Sequence, residues 1–264
     1  MRDTIGFIGA GTLTESVVVA LCEKFGTDLP IVLSPRSQAT SSRLAARYSN
    51  VSVASGNAEV VSRSKTVVLA TRPQQIDEAL QGIVFRPDHT VVSFIAKMTL
   101  AEVQERVRPA SSACRVTPLP AIVLKKGPIV FFPPVDAVTD LFSGLGELIV
   151  ASSEQEALAL GDAAGLMSSY FQLQSGVIQW LAAHGASETN ASRYTRTMLE
   201  ALAATALHTP DEEQSLLVMR HETLGGLNAR CREALTRARW FDQVESTLDS
   251  LCAKASLRSP HAAS

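Results

Sequence analysis

Apolar residues come in short β-branched runs through the first half of the chain and in longer helical patterns through the second. The runs Ile5–Ile8, Ile31–Leu33, Val51–Ala54, Thr66–Thr71, Thr90–Ala96 and Cys114–Pro118 lack strict polar alternation. That is the pattern of strands buried on two faces. Between them, Leu13–Phe25, Gln38–Tyr48, Asn57–Ser64, Gln74–Gln81 and Thr99–Val107 carry helical spacing. Two further strand-like runs, Pro128–Pro133 and Glu147–Ala151, flank a helix near Val135–Phe142. Alternating strands and helices predict an α/β unit, a mostly parallel sheet covered on both sides. After Ser152 the strand signal stops. Ala, Leu, Glu and Gln dominate, and Pro210 is the sole proline between 152 and 258. Ser153–Ser256 therefore reads as helical, with breaks near Gly185–Thr189, Thr209–Asp211 and Gly225–Gly226. The expected organisation is an α/β domain over 1–152, an all-α domain over 153–258 and a disordered tail over 259–264.

Composition narrows the function classes. The chain has 264 residues, 46% of them hydrophobic, enough for a packed core, and a formal charge of −2. No global field attracts nucleic acid or a membrane surface. No apolar run reaches the roughly 18–20 residues of a bilayer span, and the N-terminus has no signal-peptide layout. Cys22, Cys114, Cys231 and Cys252 are scattered, as expected of reduced thiols in a cytoplasmic protein. The histidines lack ligand spacing: "HETLG" at His221 has no second histidine one turn on, so no metal site is expected.

The stretch "IGFIGAGTLTES" leaves a strand and opens a helix within a strand–helix–strand unit that ends at Leu33. That context is the Rossmann-type dinucleotide fingerprint. Gly9 permits the turn. Gly11 lets backbone approach a pyrophosphate, which then meets the free N–H groups at Thr12 and Leu13. Thr14 takes the third small-residue position. The second strand ends "LSPRSQ", with Ser34, Arg36 and Ser37 where an NAD site usually carries a carboxylate. An arginine pairs with a 2′-phosphate, so NADP is the expected cofactor. Asn57 opens a helix, as an N-cap or as a cofactor contact. Thr71, Arg72 and Pro73 end the fourth strand on the edge where open α/β sheets bind ligands.

These residues, in this order, resemble pyrroline-5-carboxylate reductase. The family's start G-F-I-G-A-G-N-M-A-E is nearly repeated by "GFIGAGTLTES". Its S-x-R-S matches Ser34–Ser37, and its D-N-A-E-V-V is close to "GNAEVV". Its V-I-S-x-x-A-G-V-T-L is matched by "VVSFIAKMTL", and its R-V-M-P-N-T-P-A by "RVTPLPA". The resemblance implies an NADP-binding domain followed by a helical domain. It also implies a homodimer, or a higher oligomer built from it, in which helices of two subunits interlock and the active site forms beside the partner. The second half departs from the pattern. S-G-S-G-P-A-Y is reduced to "AGLMSSY", where Gly165 and Tyr170 match. S-P-G-G-T-T, whose threonines hold the substrate carboxylate in the family, becomes Thr223–Asn228, where Gly225 and Gly226 match and Leu227 and Asn228 replace both threonines.

The implied reaction is reduction of a small cyclic imine with hydride from the nicotinamide, of the proline-biosynthesis type, with the substrate altered. Backbone amides at Gly225–Gly226 form an anion nest, and Asn228 adds a hydrogen bond. Tyr170 is the expected proton donor or orienter, or else a core aromatic with a satisfied hydroxyl. The substrate site is expected where Val116–Pro120, including Pro118, meets the helix through Tyr170 and the turn at Thr223–Asn228, the last from this chain or its partner. Two alternatives remain. A β-hydroxyacid dehydrogenase needs a lysine in the helical domain, and none lies between 127 and 253. An NADP-binding sensor or inactive reductase-like protein would also explain the changed substrate segments.

Overall fold

The computed structural model describes residues 2–256. The expected tail at 259–264 lies outside them. The chain divides into two compact units, Met1–Gly161 and Asp162–Ser264.

The first unit is an eight-stranded sheet: β1 (Ile5–Ile8), β2 (Ile31–Leu33), β3 (Val51–Val53), β4 (Thr66–Leu69), β5 (Thr90–Ser93), β6 (Ser112–Pro118), β7 (Pro128–Phe132) and β8 (Glu147–Val150). Their order is β3-β2-β1-β4-β5-β6-β7-β8. All neighbours are parallel except β6 and β7, which run antiparallel with Pro118 opposite Ile129. The helices are α1 (Thr12–Phe25), α2 (Gln38–Arg47), α3 (Asn57–Arg63), α4 (Ile76–Ala79), α5 (Leu100–Arg106), α6 (Asp136–Phe142) and α7 (Glu154–Ala163).

The unbroken apolar runs have a direct structural cause. Alternate residues of one strand enter two separate cores. Phe7, Leu33, Val68 and Val92 pack into one with α1 and α6. Ile8, Val32, Val67 and Val91 pack into the other, with Val60 and Val103. Both faces of the central strands are thus removed from water.

Elements lie where the pattern predicts them, with several ends shifted: β6 starts earlier, at Ser112, and α1 at Thr12. β4 stops at Leu69 and β5 at Ser93, short of the expected Thr71 and Ala96. The ladder ends there because the chain turns away at the carboxyl edge. The helix expected over 74–81 is a 3-10 turn at Pro73–Gln75 followed by the single turn α4. The first residues of α7 belong to the sheet unit, because Ala157 is buried against Val130 and Ala151. The division therefore falls inside α7, after its expected position at 152.

The second unit holds α8 (Met167–Ala183), α9 (Glu188–Leu207), α10 (Leu217–Arg220), α11 (Leu227–Arg237) and α12 (Trp240–Ser256). Its breaks fall at the three expected places. A further break, between α11 and α12, has Arg239 at φ 57 and carries no Gly or Pro to announce it. No helix among the described residues is long and apolar enough to cross a membrane. No cluster of three metal-ligating side chains occurs among them.

Candidate cofactor and substrate sites

The cofactor edge is built around Gly9. Its φ is 104°, and a Cβ there would lie 2.5 Å from the Ala70 carbonyl oxygen. No other residue fits both the conformation and the approach of β4. The loop is then clamped from two directions. The Gly9 N–H donates to Ser34 Oγ at 2.9 Å, and Thr14 Oγ1 donates to the Gly9 carbonyl at 2.9 Å. Thr14 is buried; its hydroxyl is the reason a threonine suits the third position. Ser34, expected as a cofactor contact, is also buried and spends its hydroxyl on the loop, while its carbonyl accepts from Ser41. It shapes the cradle from beneath.

Gly11 caps α1 with no side-chain hydrogen bond, and nothing lies within 4 Å of where its Cβ would be. The first N–H groups of this 14-residue helix, at Thr12 and Leu13, receive no side-chain cap and lie at the positive end of its dipole. On the adjoining strand end, Thr71 Oγ1 is buried without a hydrogen-bond partner, a group whose satisfaction calls for a further polar atom. Arg72 is extended, and Pro73 starts the following turn. Cradle, free helix terminus and orphaned hydroxyl together fit a dinucleotide phosphate.

Arg36 is half exposed and lies 3.6 Å from Glu78 Oε2 of α4, a counter-charge the sequence did not announce. Ser37 is the N-terminal residue before α2 and makes no side-chain cap bond. Asn57 is not the N-cap of α3; Gly56 holds that position. The Asn57 amide instead donates to the Ala79 carbonyl at 2.9 Å, tying α3 to the end of α4.

Three further residues shape this edge and were not singled out from the sequence. Arg115, on β6, is 3% exposed. Its Nη1 donates to the Ile95 carbonyl at 2.9 Å, and Nη2 lies 3.9 Å from Glu154. Burial pushes the guanidinium below its ordinary value, opposed by Glu154 and Glu102. Glu154 in turn accepts from the Leu100 N–H at the start of α5. The segment between, which includes Lys97 at φ 62, is therefore anchored at both ends. Lys97 stands where the family pattern has glycine.

In the helical unit, α10 and α11 are joined by a Gly-Gly turn. Gly225 has φ 69, and the Gly226 N–H donates to the Thr223 carbonyl at 2.8 Å. A Cβ on Gly226 would reach within 2.9 Å of that same carbonyl oxygen. Gly226 caps α11 without a side-chain bond, which leaves the helix amides for an anion. Asn228 Nδ2 donates back to the His221 carbonyl at 2.7 Å, so the amide holds the turn. Leu227 is exposed. Arg232 grips both oxygens of Glu222 and keeps that carboxyl below the usual range. Tyr170, on α8, is not a core aromatic in this unit: it is 43% exposed and meets Phe171 edge to face. Pro118 is buried at the end of β6.

Residues 4–97 match the family described as NADP oxidoreductase, coenzyme F420-dependent. Pyrroline-5-carboxylate reductase 3 of Xenopus laevis is 31% identical over 131 residues, 48% of this chain and 47% of the relative. The match thus spans about half the length of that relative. Among solved structures, the pyrroline carboxylate reductase of Plasmodium falciparum, determined with NADP bound, superposes with a TM-score of 0.82 at 14% identity, covering 96% of this chain and 97% of its own. The 1-pyrroline-5-carboxylate reductase of Streptococcus pyogenes gives 0.81 at 17% identity, covering 96% and 98%. The chain is similar to pyrroline-5-carboxylate reductases in sequence over about half of its length and in fold along nearly all of it.

Proposed function

We propose that this protein is an NADPH-dependent reductase of a small cyclic imine, like pyrroline-5-carboxylate reductase but with an altered substrate. The observation that carries the proposal is the Gly9 cradle: a positive-φ glycine pressed against β4, an uncapped α1 terminus and the orphaned Thr71 hydroxyl converge on one edge. Gly9, Gly11, Thr12, Leu13 and Thr71 would hold the pyrophosphate, with Arg72 and Pro73 beside it. Arg36 and Ser37 would hold the 2′-phosphate of NADP.

NADPH, when bound, supplies the hydride that reduces the carbon–nitrogen double bond. The protein must hold the imine, exclude water and bind its charged group. The amides of the Gly225–Gly226 turn are suited to an anion, and Tyr170 to orienting the ring nitrogen or donating a proton. Asn228 has one amide hydrogen bond already committed to His221. Leu227 brings no hydroxyl. A substrate that depends on both threonines of the family pattern is therefore disfavoured, and a bulkier or less acidic imine fits better. In cellular terms the reading is a cytoplasmic enzyme working as a homodimer.

The test is NADPH oxidation with five- and six-membered cyclic imines, each with and without a carboxylate. Turnover of at least one imine is expected, with poor activity on pyrroline-5-carboxylate. The double change Leu227→Thr, Asn228→Thr should raise activity on that compound. Wild-type efficiency of roughly 10⁴ M⁻¹s⁻¹ or more on it would show the substrate to be unaltered. No turnover of any imine, with NADPH still bound tightly, would favour a sensor or inactive protein.

A further inference from the structure

The loop after β5 is held at both ends. The Ile95 N–H donates to Ser93 Oγ at 3.3 Å, and the Ile95 carbonyl accepts from Arg115 Nη1 at 2.9 Å. At the other end Thr99 forms a capping box with Glu102, and the Leu100 N–H donates to Glu154. Ile95 and Met98 are buried in the second core. Ala96 and Lys97, between them, are exposed, and Lys97 holds φ 62, a conformation lysine rarely adopts. The outcome is a two-residue tip, fixed on both sides, beyond the carboxyl end of β5. It starts level with the Gly9 cradle. Ile8, Leu69 and Ser93 share one row of sheet register. Ala70 and Phe94 continue that row through N–H bonds to the Ile8 and Leu69 carbonyls at 2.8 and 2.9 Å.

The strand order runs outward from β1 in two directions, to β2 and β3 on one side and to β4 and β5 on the other. A dinucleotide lies across such an edge with its pyrophosphate at the first helix. With its 2′-phosphate at Arg36, after β2, its nicotinamide half falls over the ends of β4 and β5. Arg115 sits directly under that place, paired with Ser93 in the ladder. At 3% exposed it is too deep to meet a ligand. Its Nε and Nη2 make no hydrogen bond, and Nη2 stays 3.9 Å from Glu154. A buried charge so sparingly paired contributes little to stability. Its one close bond holds the loop.

We propose that Arg115 is a positioning residue for the nicotinamide half of the cofactor: acting through Ile95, and with Glu154 through Leu100, it fixes the Ala96–Lys97 tip on which that half rests. The proposal rests on the reading of this edge as the NADP site and needs no particular imine.

The test compares two ligands by calorimetric titration of the full-length protein. One is NADPH. The other is adenosine 2′,5′-bisphosphate, which carries the phosphorylated adenosine half and no nicotinamide. Arg115→Met keeps the bulk and removes the donors. It should weaken NADPH by about tenfold and leave the bisphosphate within about twofold. Arg115→Lys returns one donor and should recover part of the NADPH affinity. Glu154→Gln keeps an acceptor for Leu100 without the charge beside Arg115. It should show the same one-sided loss at about threefold, and it carries the test if Arg115→Met does not fold. Equal losses for the two ligands would make Arg115 a purely structural residue and overturn the proposal, as would no loss for either. A one-sided loss, with no imine turned over by the wild type, would keep the positioning role and remove the reductase reading. Turnover by the wild type without a one-sided loss in the variants would do the reverse. A wild type that binds neither ligand would overturn both.

Discussion

In the sheet unit, Phe7, Leu21, Leu33 and Val92 have no exposed surface at all, whereas in the helical unit Trp180, Tyr194, Leu207 and Met219 are 59%, 60%, 86% and 67% exposed. Ala191, Thr195 and Ala229 are the only buried residues among those described beyond Gly161. The composition of the two halves does not explain this, since both are rich in apolar residues. The difference is geometric. A parallel sheet with helices on both faces satisfies its own apolar surface, while helices that are apolar on several sides need partners on several sides. An apolar surface of this extent on the helical unit is what a homodimer of the proposed kind would cover, with more than about 2,000 Å² buried.

The largest effect expected is on this contrast. Phe7→Ala should cost about 3–5 kcal/mol and leave the sheet unit largely unfolded. Leu207→Ala should change monomer stability by no more than about 0.5 kcal/mol. Urea unfolding over a range of protein concentrations separates the two. A loss at Leu207 that grows on dilution places it in a subunit interface, and a concentration-independent loss as large as that at Phe7 breaks the comparison.

Gly9→Ala comes next. It forces an alanine to φ 104 against the Ala70 carbonyl; the loop relieves this strain of about 1–3 kcal/mol by moving out of the cradle shape, and restoring that shape on binding costs roughly five- to hundredfold in NADPH affinity. Unchanged affinity by fluorescence titration would remove the cradle from the cofactor site.

Arg36→Ala should erase a preference for NADPH over NADH of about tenfold. Glu78→Gln should increase that preference, because Glu78 lies 3.6 Å from the guanidinium and competes with a phosphate for it. Equal dissociation constants for the two cofactors in the wild type would defeat both expectations.

The smallest effect concerns Glu59, whose carboxyl is lowered to about 2, chiefly by hydrogen bonds from the Ser55 hydroxyl and N–H, then from Arg63. A lowered folded-state value means that the stabilisation is present above the ordinary 4.5 and is lost as pH falls through about 2. Glu59→Gln should therefore lower the melting temperature slightly at neutral pH, by ~2 °C, and not at all near pH 2. A difference that persists at low pH would assign the effect to packing.

Local pattern settled a good deal here. The β-branched runs from Ile5 to Pro118 and the helical spacing between them are nearest-neighbour information, and so are the glycines at 9, 11, 225 and 226. These predicted the two-unit plan and the carboxyl-edge cradle. Strand ends were legible only approximately, because β4 and β5 stop where the chain turns, although Ala70 and Phe94–Ala96 continue the apolar run. What the tertiary structure alone decided are pairings between residues far apart in the chain. Ser34 turns its hydroxyl to Gly9, Asn57 reaches Ala79, Arg36 meets Glu78, and Arg115 lies buried beneath Ile95 beside Glu154. A side chain's type states which bonds it can make; which it does make depends on what folding brings within about 3 Å.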